Sequence, residues 1–243
     1  MKEVNQQYFD KISSRYQRAA DSWQEIYEQM EARINPLIEG KVVLDIGNGG
    51  RFAYDTSLPS RVIAMDIAPT MLDKIEDPKI VKVVGDGRDM QTIEDESVDI
   101  IIFLLVLHHI NGSSVRESFD TLDKVLSLAR RKIRPGGYLI VTEALLSHLL
   151  FRIQRFFFPL TRFVLSRFGV GMIFFFSLPL LRKRISQKFQ LETNDCETIK
   201  LRLKGWFDPI GGSFPGLLKI PAWLSPYDFR LIIVPRKLVV CQD

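Results

Sequence analysis

The 243-residue chain is short of several things, and each shortage removes a class of protein. It has two cysteines, Cys196 and Cys241, far apart and outside any paired motif. Such residues build neither a zinc site nor a disulfide scaffold, and they fit a reducing compartment. No cluster with metal-ligand spacing accompanies the three histidines, so the expected chemistry needs no metal. Low-complexity tracts and internal repeats are absent. The net charge of +4 is too small by itself to imply a nucleic-acid partner. Residues 1–5 are polar and acid-containing and do not read as a secretory signal. In the phenylalanine-rich part, the longest uncharged run is Phe168 to Leu181, broken by Gly169, Gly171 and Pro179. That is less than the roughly 18–20 residues a membrane span needs. The expected location is cytoplasmic, with or without a peripheral membrane contact.

What is present is organised around Val42-Val43-Leu44-Asp45-Ile46-Gly47-Asn48-Gly49-Gly50. An apolar run enters a glycine cluster, the pattern of a buried parallel strand ending in a tight turn. Glycine allows positive φ and close approach of a ligand to the main chain. Two further strands end in acids: Val62 to Asp66, and Val81 to Gly85 followed by Asp86. The acids lie about 20 residues apart, one βαβ step of a nucleotide-binding sheet. Val98 to Val106 is almost continuously apolar, hence a central strand, and it delivers Leu107-His108-His109 to its carboxyl end. Residues 114–133 form an amphipathic helix, and Tyr138 to Glu143 a fifth strand. Residues 5–38 read as helix, with Pro36 and Gly40 marking its end.

As a set these features resemble the class I S-adenosylmethionine (SAM) dependent methyltransferases, of the small-molecule, type 11-like kind. The glycine turn, Asp66 and Asp86 match that family's first three motifs. Ser97-Val98-Asp99 through His108-His109 matches the fourth, and Arg134-Pro135-Gly136-Gly137 the fifth. The likeness spans residues 5–145. It implies a Rossmann-like, mostly parallel seven-stranded sheet with helices on both faces and an antiparallel last strand. It implies SAM as cofactor, with contacts from Tyr16, Asp45, Gly47, Asn48, Gly49, Asp66, Ile67, Asp86, Gly87 and Leu104. Asp66 would accept from the ribose hydroxyls, and Asp86 from the adenine amino group with Arg88 and Met90 flanking the ring. Glycine-turn N–H groups at a helix N-terminus would meet the methionine carboxylate. The segment Phe9 to Tyr16 resembles a lid over the cofactor, and it reads equally as a packing helix. The turn departs from the family by being one residue tighter and by carrying Asn48. The segment after it, Arg51 to Thr56, is a weak helix former.

Composition shifts after strand five. From Ala144 to Leu191 there is no acidic residue, while phenylalanine is dense and arginine is interleaved. On a helix, His148, Arg152, Arg155 and Arg162 share one side, opposite Leu149, Phe156 and Phe163, provided Pro159 does not shift the register. An interfacial helix needs such a division. A buried lid with solvated arginines is the other reading. The chain is thus divided into N-terminal lid helices (5–40), a SAM-binding core (41–143), a basic hydrophobic insertion capping the acceptor (144–191) and a closing strand pair (192–243), all in one methyltransferase domain. The long connection before the last strand is expected to wall the acceptor pocket.

Methyl transfer to a hydroxyl needs its proton removed, and histidine is the natural base near neutral pH. The candidate catalytic residues are His109 first, then His108 and Glu143. The expected acceptor is a hydrophobic or lipid-linked small molecule, methylated at oxygen, with a membrane surface as a possible partner and no nucleic acid. The missing Asn-Pro-Pro-Tyr-type tetrapeptide after strand four disfavours protein and nucleic-acid methylation. An inactive methyltransferase-like module that binds a membrane or a partner is the alternative. A nicotinamide dehydrogenase is a third, weaker reading.

Overall fold

The structure, a computed structural model, describes residues 6–10, 23–167, 173–192, 195–208 and 219–237. Helix α1 (Gln24–Ile38) buries Ile26, Met30, Ile34 and Ile38 completely, a one-face stripe at four-residue spacing. It runs two residues past Pro36, and Gly40 then turns the chain with a φ of 68°. The expected helix over 5–38 is seen as residues 6–10 and as α1; residues 11–22 lie outside the described residues.

Seven strands form one sheet: β1 (Val42–Ile46), β2 (Arg61–Asp66), β3 (Val81–Val84), β4 (Val98–Leu104), β5 (Ile133–Leu146), β6 (Glu197–Leu201) and β9 (Tyr227–Pro235). Their order is β3-β2-β1-β4-β5-β9-β6. The first five are parallel, and β9 runs antiparallel between β5 and β6. This is the Rossmann-like methyltransferase sheet, with the antiparallel last strand in its expected place. Two short strands, β7 (Trp206–Phe207) and β8 (Ile220–Pro221), pair separately.

Helices cover both faces because the central strands are apolar on both. Leu44, Ile46, Ile101 and Phe103 pack with α3 (Val115–Lys132), α4 (His148–Arg167) and α5 (Leu178–Phe189). Val43, Ile100 and Ile102, alternating with them, pack with α1 and with Leu72 at the end of the short α2 (Pro69–Leu72). Helix α3 starts in a reciprocal side-chain cap, in which the glutamate reaches the residue before the N-cap. Ser114 accepts from the Glu117 amide, and Glu117 accepts from the Ser113 amide and hydroxyl.

Three sequence expectations shift. Strand β4 stops at Leu104 rather than Val106, because Leu105 takes a left-handed φ of 54° and turns the chain out of the sheet. Strand β5 is longer than expected, since nine register pairs with β9 carry it to Leu146. No helix follows the glycine turn through residue 60. Asp55 accepts from the amide and hydroxyl of Ser57, a local turn that competes with helix.

The Arg-Pro-Gly-Gly segment lies at the entry to β5, where Gly137 passes close to β4. A Cβ on Gly137 would sit 2.2 Å from the Asp99 carbonyl oxygen and 2.6 Å from the Ile133 side chain. Backbone cannot yield as a flexible side chain does. Gly137→Ala is therefore expected to cost about 1–3 kcal/mol of stability, read as a lowered urea midpoint with an unchanged slope.

Candidate active site

The carboxyl ends of β1 and β4 define a cleft, open on one side, of about 660 Å³ counted out to solvent. Such a crevice forms where strand order reverses, here between β1 and β4. Gly47, Gly49, Asp66, Ile67, Asp86, Gly87 and His109 all line it. Sequence reasoning had named all seven of these. Phe9, Leu105, Val106 and Ile110 add apolar wall.

Asp66 sits at the end of β2, almost wholly buried. Its Oδ1 accepts from the Ala68 amide at 2.9 Å and its Oδ2 from the Gly49 amide at 3.0 Å. Burial pushes its pKa up, and these backbone N–H groups pull against that rise. Asp86 is held by Arg88, whose Nη2 donates to Oδ2 at 2.7 Å while its Nε donates to both oxygens. Arg88 thus lines the cleft with its guanidinium turned onto Asp86, rather than standing as a free flank for a ring. Met90, the other expected flank, is fully buried in the core and is not among the cleft-lining residues.

Three expected cofactor residues stand behind the cleft. Leu104 packs in the core, while Leu105 and Val106, beyond the left-handed turn, face the cleft. Asp45 is fully buried, and its Oδ2 accepts from Asn48 at 2.9 Å and from the Tyr54 hydroxyl at 3.1 Å. Asn48 therefore braces the turn from within, and the turn is held by these bonds and by Asp66 in place of a helix. Tyr16 lies outside the described residues. Phe9, at the start of the same lid-like segment, meets the His109 ring edge-on at 4.9 Å. Beside it, Asp10 accepts from the Thr70 hydroxyl at 2.6 Å, which ties residues 6–10 to α2.

The two histidines occupy different surroundings. His109 is half-buried and faces the cleft. His108 is buried, and its Nδ1 shares a 2.7 Å hydrogen bond with Glu143 Oε2. Glu143 Oε1 accepts from the Leu107 amide, also at 2.7 Å. One carboxylate from β5 thus pins the whole Leu107–His109 turn. Behind it, Phe175 stacks on His108 at 4.9 Å, and the Phe174 amide donates to the His108 carbonyl. Phe175 was not singled out beforehand, since nothing in a run of three phenylalanines says which ring meets a histidine. Among the described residues, no three His, Cys, Asp or Glu side chains gather closely enough to hold a metal ion.

Comparison with known proteins defines the class. Residues 44–141 match a family model described as a methyltransferase domain. No curated protein matches the chain. Among solved structures, it resembles a chain of the complex between the Haloferax volcanii Trm112 methyltransferase activator and a proposed methyltransferase. Identity is 16%, coverage 96% of this chain and 97% of that one, and the TM-score 0.67. It also resembles a SAM-dependent methyltransferase of Thermotoga maritima (15% identity, 96% and 100% coverage, TM-score 0.62). A third likeness is to phosphoethanolamine N-methyltransferase 2 of Haemonchus contortus, solved with S-adenosylhomocysteine (15% identity, 96% and 59% coverage, TM-score 0.60). Residues 44–141 thus match a methyltransferase domain, and the chain as a whole has the fold of these SAM-dependent methyltransferases.

The donor set fits SAM. Two buried carboxylates line one cleft with glycine main chain and apolar wall. The Asp66 carboxylate is oriented by backbone N–H groups from both sides, those of Gly49 and Ala68 among them. Asp66→Ala should weaken SAM binding about ten- to a hundredfold, the worth of hydrogen bonds to a charged acceptor, and calorimetric titration of the folded variant checks it.

Asp45 gives a pH prediction. Burial lifts its pKa from 3.8 to about 7, against the Asn48 and Tyr54 hydrogen bonds. Between those values the folded state holds a proton that the unfolded chain has lost, so stability falls as pH rises through that window. Asp66 leans the same way. In Asp45→Asn the thermal midpoint should therefore decline less steeply over this range than in the wild type.

Proposed function

We propose that the enzyme methylates a hydroxyl of a hydrophobic or lipid-linked small molecule, with His109 as general base. The observation that carries this reading is the position of His109 in the cleft wall beside Phe9, on a turn fixed from behind by Glu143. Bound SAM supplies a methyl group on a positively charged sulfur, which departs without help from an acid. The remaining work falls to the chain. Asp66 and Asp86 would hold the ribose and adenine ends, and the Phe9 ring shields the cleft from water. His109 takes the hydroxyl proton as the oxygen attacks, histidine being the natural base near neutral pH. Glu143 and His108 act through His109 by fixing its turn.

The acceptor side supports a greasy substrate. A wide groove of about 1510 Å³, counted out to solvent, lies between the start of α4 and β9 and is lined in part by Leu146, Leu178, Trp223 and Tyr227. Phe175 touches both Tyr227 in this groove and His108. Trp223 and Tyr227 come from the connection expected to wall the acceptor site, of which residues 209–218 lie outside the described residues. A lipid-linked acceptor partitions into bilayers, so the reading includes peripheral work at a membrane surface. Nitrogen is the second candidate acceptor atom: the Haemonchus relative is an N-methyltransferase, and the same histidine would take a proton from an ammonium.

His109→Ala should lower turnover by about 10²–10⁴ while SAM affinity stays near wild type. Enzyme incubated with methyl-tritiated SAM and a total lipid extract should place label in the organic phase, and the His109 variant should not. Label confined to the aqueous phase would exclude the lipid-linked acceptor.

A further inference from the structure

The insertion sorts its phenylalanines by face. Phe151 and Phe158 of α4 are buried against the body, as are Phe174 and Phe176 beyond it. The rest of the helix points the other way. Leu149 is 69% exposed, Phe156 78%, Leu160 57% and Phe163 63%, and Ile153 and Phe157 are close to half exposed. The helix runs unbroken through Pro159, so its register holds to Arg167. At 100° per residue these side chains fall within an arc of about 120°, opposite the buried pair. A stripe of this kind is not ordinary surface, because large contiguous apolar patches mark a partner.

The charges beside the stripe say which partner. His148, Arg152, Arg155 and Arg162 lie along one flank, all exposed, and Arg167 stands over the Phe163 ring at its far end. Arg155 lies over the rings of Phe119 and Phe151, and Arg162 donates to the Ser113 carbonyl. The Glu117 carboxylate on α3 faces Arg162, while residues 144–191 themselves contain no acid to offset His148, Arg152 and Arg155. Two copies paired through this stripe would bring like-charged rows together, which opposes association. No helix among the described residues is long and apolar enough to cross a membrane. An amphipathic helix with a basic flank lies in the plane of an interface instead. Trp223, 81% exposed, shares a groove with His148 at the start of α4, and tryptophan favours the headgroup level.

We propose that α4 docks the enzyme on anionic bilayers, its Leu149–Phe163 stripe seated at the headgroup–acyl boundary and its arginines on acidic headgroups. The docking names the surface from which the proposed acceptor is drawn, and in that respect rests on the reading above. Gln154 joins the docked helix to the site. Its side chain donates to the Phe175 carbonyl at 2.8 Å and accepts from the Phe175 amide at 3.1 Å, and Phe175 stacks on His108.

Co-sedimentation tests this with phosphatidylcholine vesicles and with equimolar phosphatidylcholine–phosphatidylglycerol vesicles, at low and high salt. The wild type should pellet only with the anionic vesicles and be released by salt. The triple change Arg152→Gln, Arg155→Gln, Arg162→Gln should weaken partitioning at least about tenfold. Phe156→Asp with Phe163→Asp should abolish it. Both variants should keep wild-type SAM affinity, which shows that they are folded. Phe156→Trp should be quenched by brominated acyl chains. Wild type that ignores anionic vesicles at low salt overturns the proposal. So does a lipid-free dimer that the aspartate pair converts to monomer. Organic-phase methylation that persists without vesicle binding would sink the docking and leave the acceptor reading standing.

Discussion

Val106 lies directly over Gly47. A Cβ on that glycine would fall 2.2 Å from a Val106 methyl, so the two turns that leave β1 and β4 are packed main chain against side chain. The contact sits where the chain crosses from β1 to one side of the sheet and from β4 to the other. It can form only because Leu105 takes a left-handed conformation and swings the chain back toward β1. With the turns locked together, Gly49 reaches Asp66 on β2, and the Leu107–His109 turn reaches Glu143 on β5. The width of the cleft, and the place of His109 in its wall, follow from that one close approach.

The polar groups beneath the cleft do a mechanical job. Asp45, Asp66 and Glu143 are buried carboxylates on three different strands, and each accepts hydrogen bonds from a turn at the sheet's carboxyl edge. A helix after the glycine turn would normally fix that loop. Here Asn48, Tyr54 and Asp66 fix it side chain by side chain. Buried hydrogen bonds in low-dielectric surroundings are stronger than in water, so the loop is fixed without regular structure.

Much of this was legible in the sequence because the signals are local. The runs before Asp45, Asp66 and Asp86 are apolar over a few residues, and burial on both faces leaves no alternation to misread. The cleft acids and His109 fell at strand ends, where the sheet must place them. Other features depend on partners distant in sequence. Leu105 has no intrinsic liking for positive φ and adopts it under tertiary constraint. Arg88 looked like one side of a ring site, yet its nearest charge was two residues away in Asp86. The insertion phenylalanines could be counted but not sorted, since which face of α4 meets the body is decided by Phe119 on α3, by Gln154 and by Phe175.

The placement of β9 bears on how the molecule is made. Strand β6 precedes β9 in the chain, yet β9 is its sole neighbour in the sheet and lies between it and β5. During synthesis β6 therefore emerges with no strand to pair with, and β5 shows an open edge on one side. Both edges close only when residues 227–235 arrive and pair on both flanks at once. Non-local pairing of this kind is slow, and an unpaired strand edge invites other chains. The nascent enzyme is most exposed to mispairing in the interval between β6 and β9.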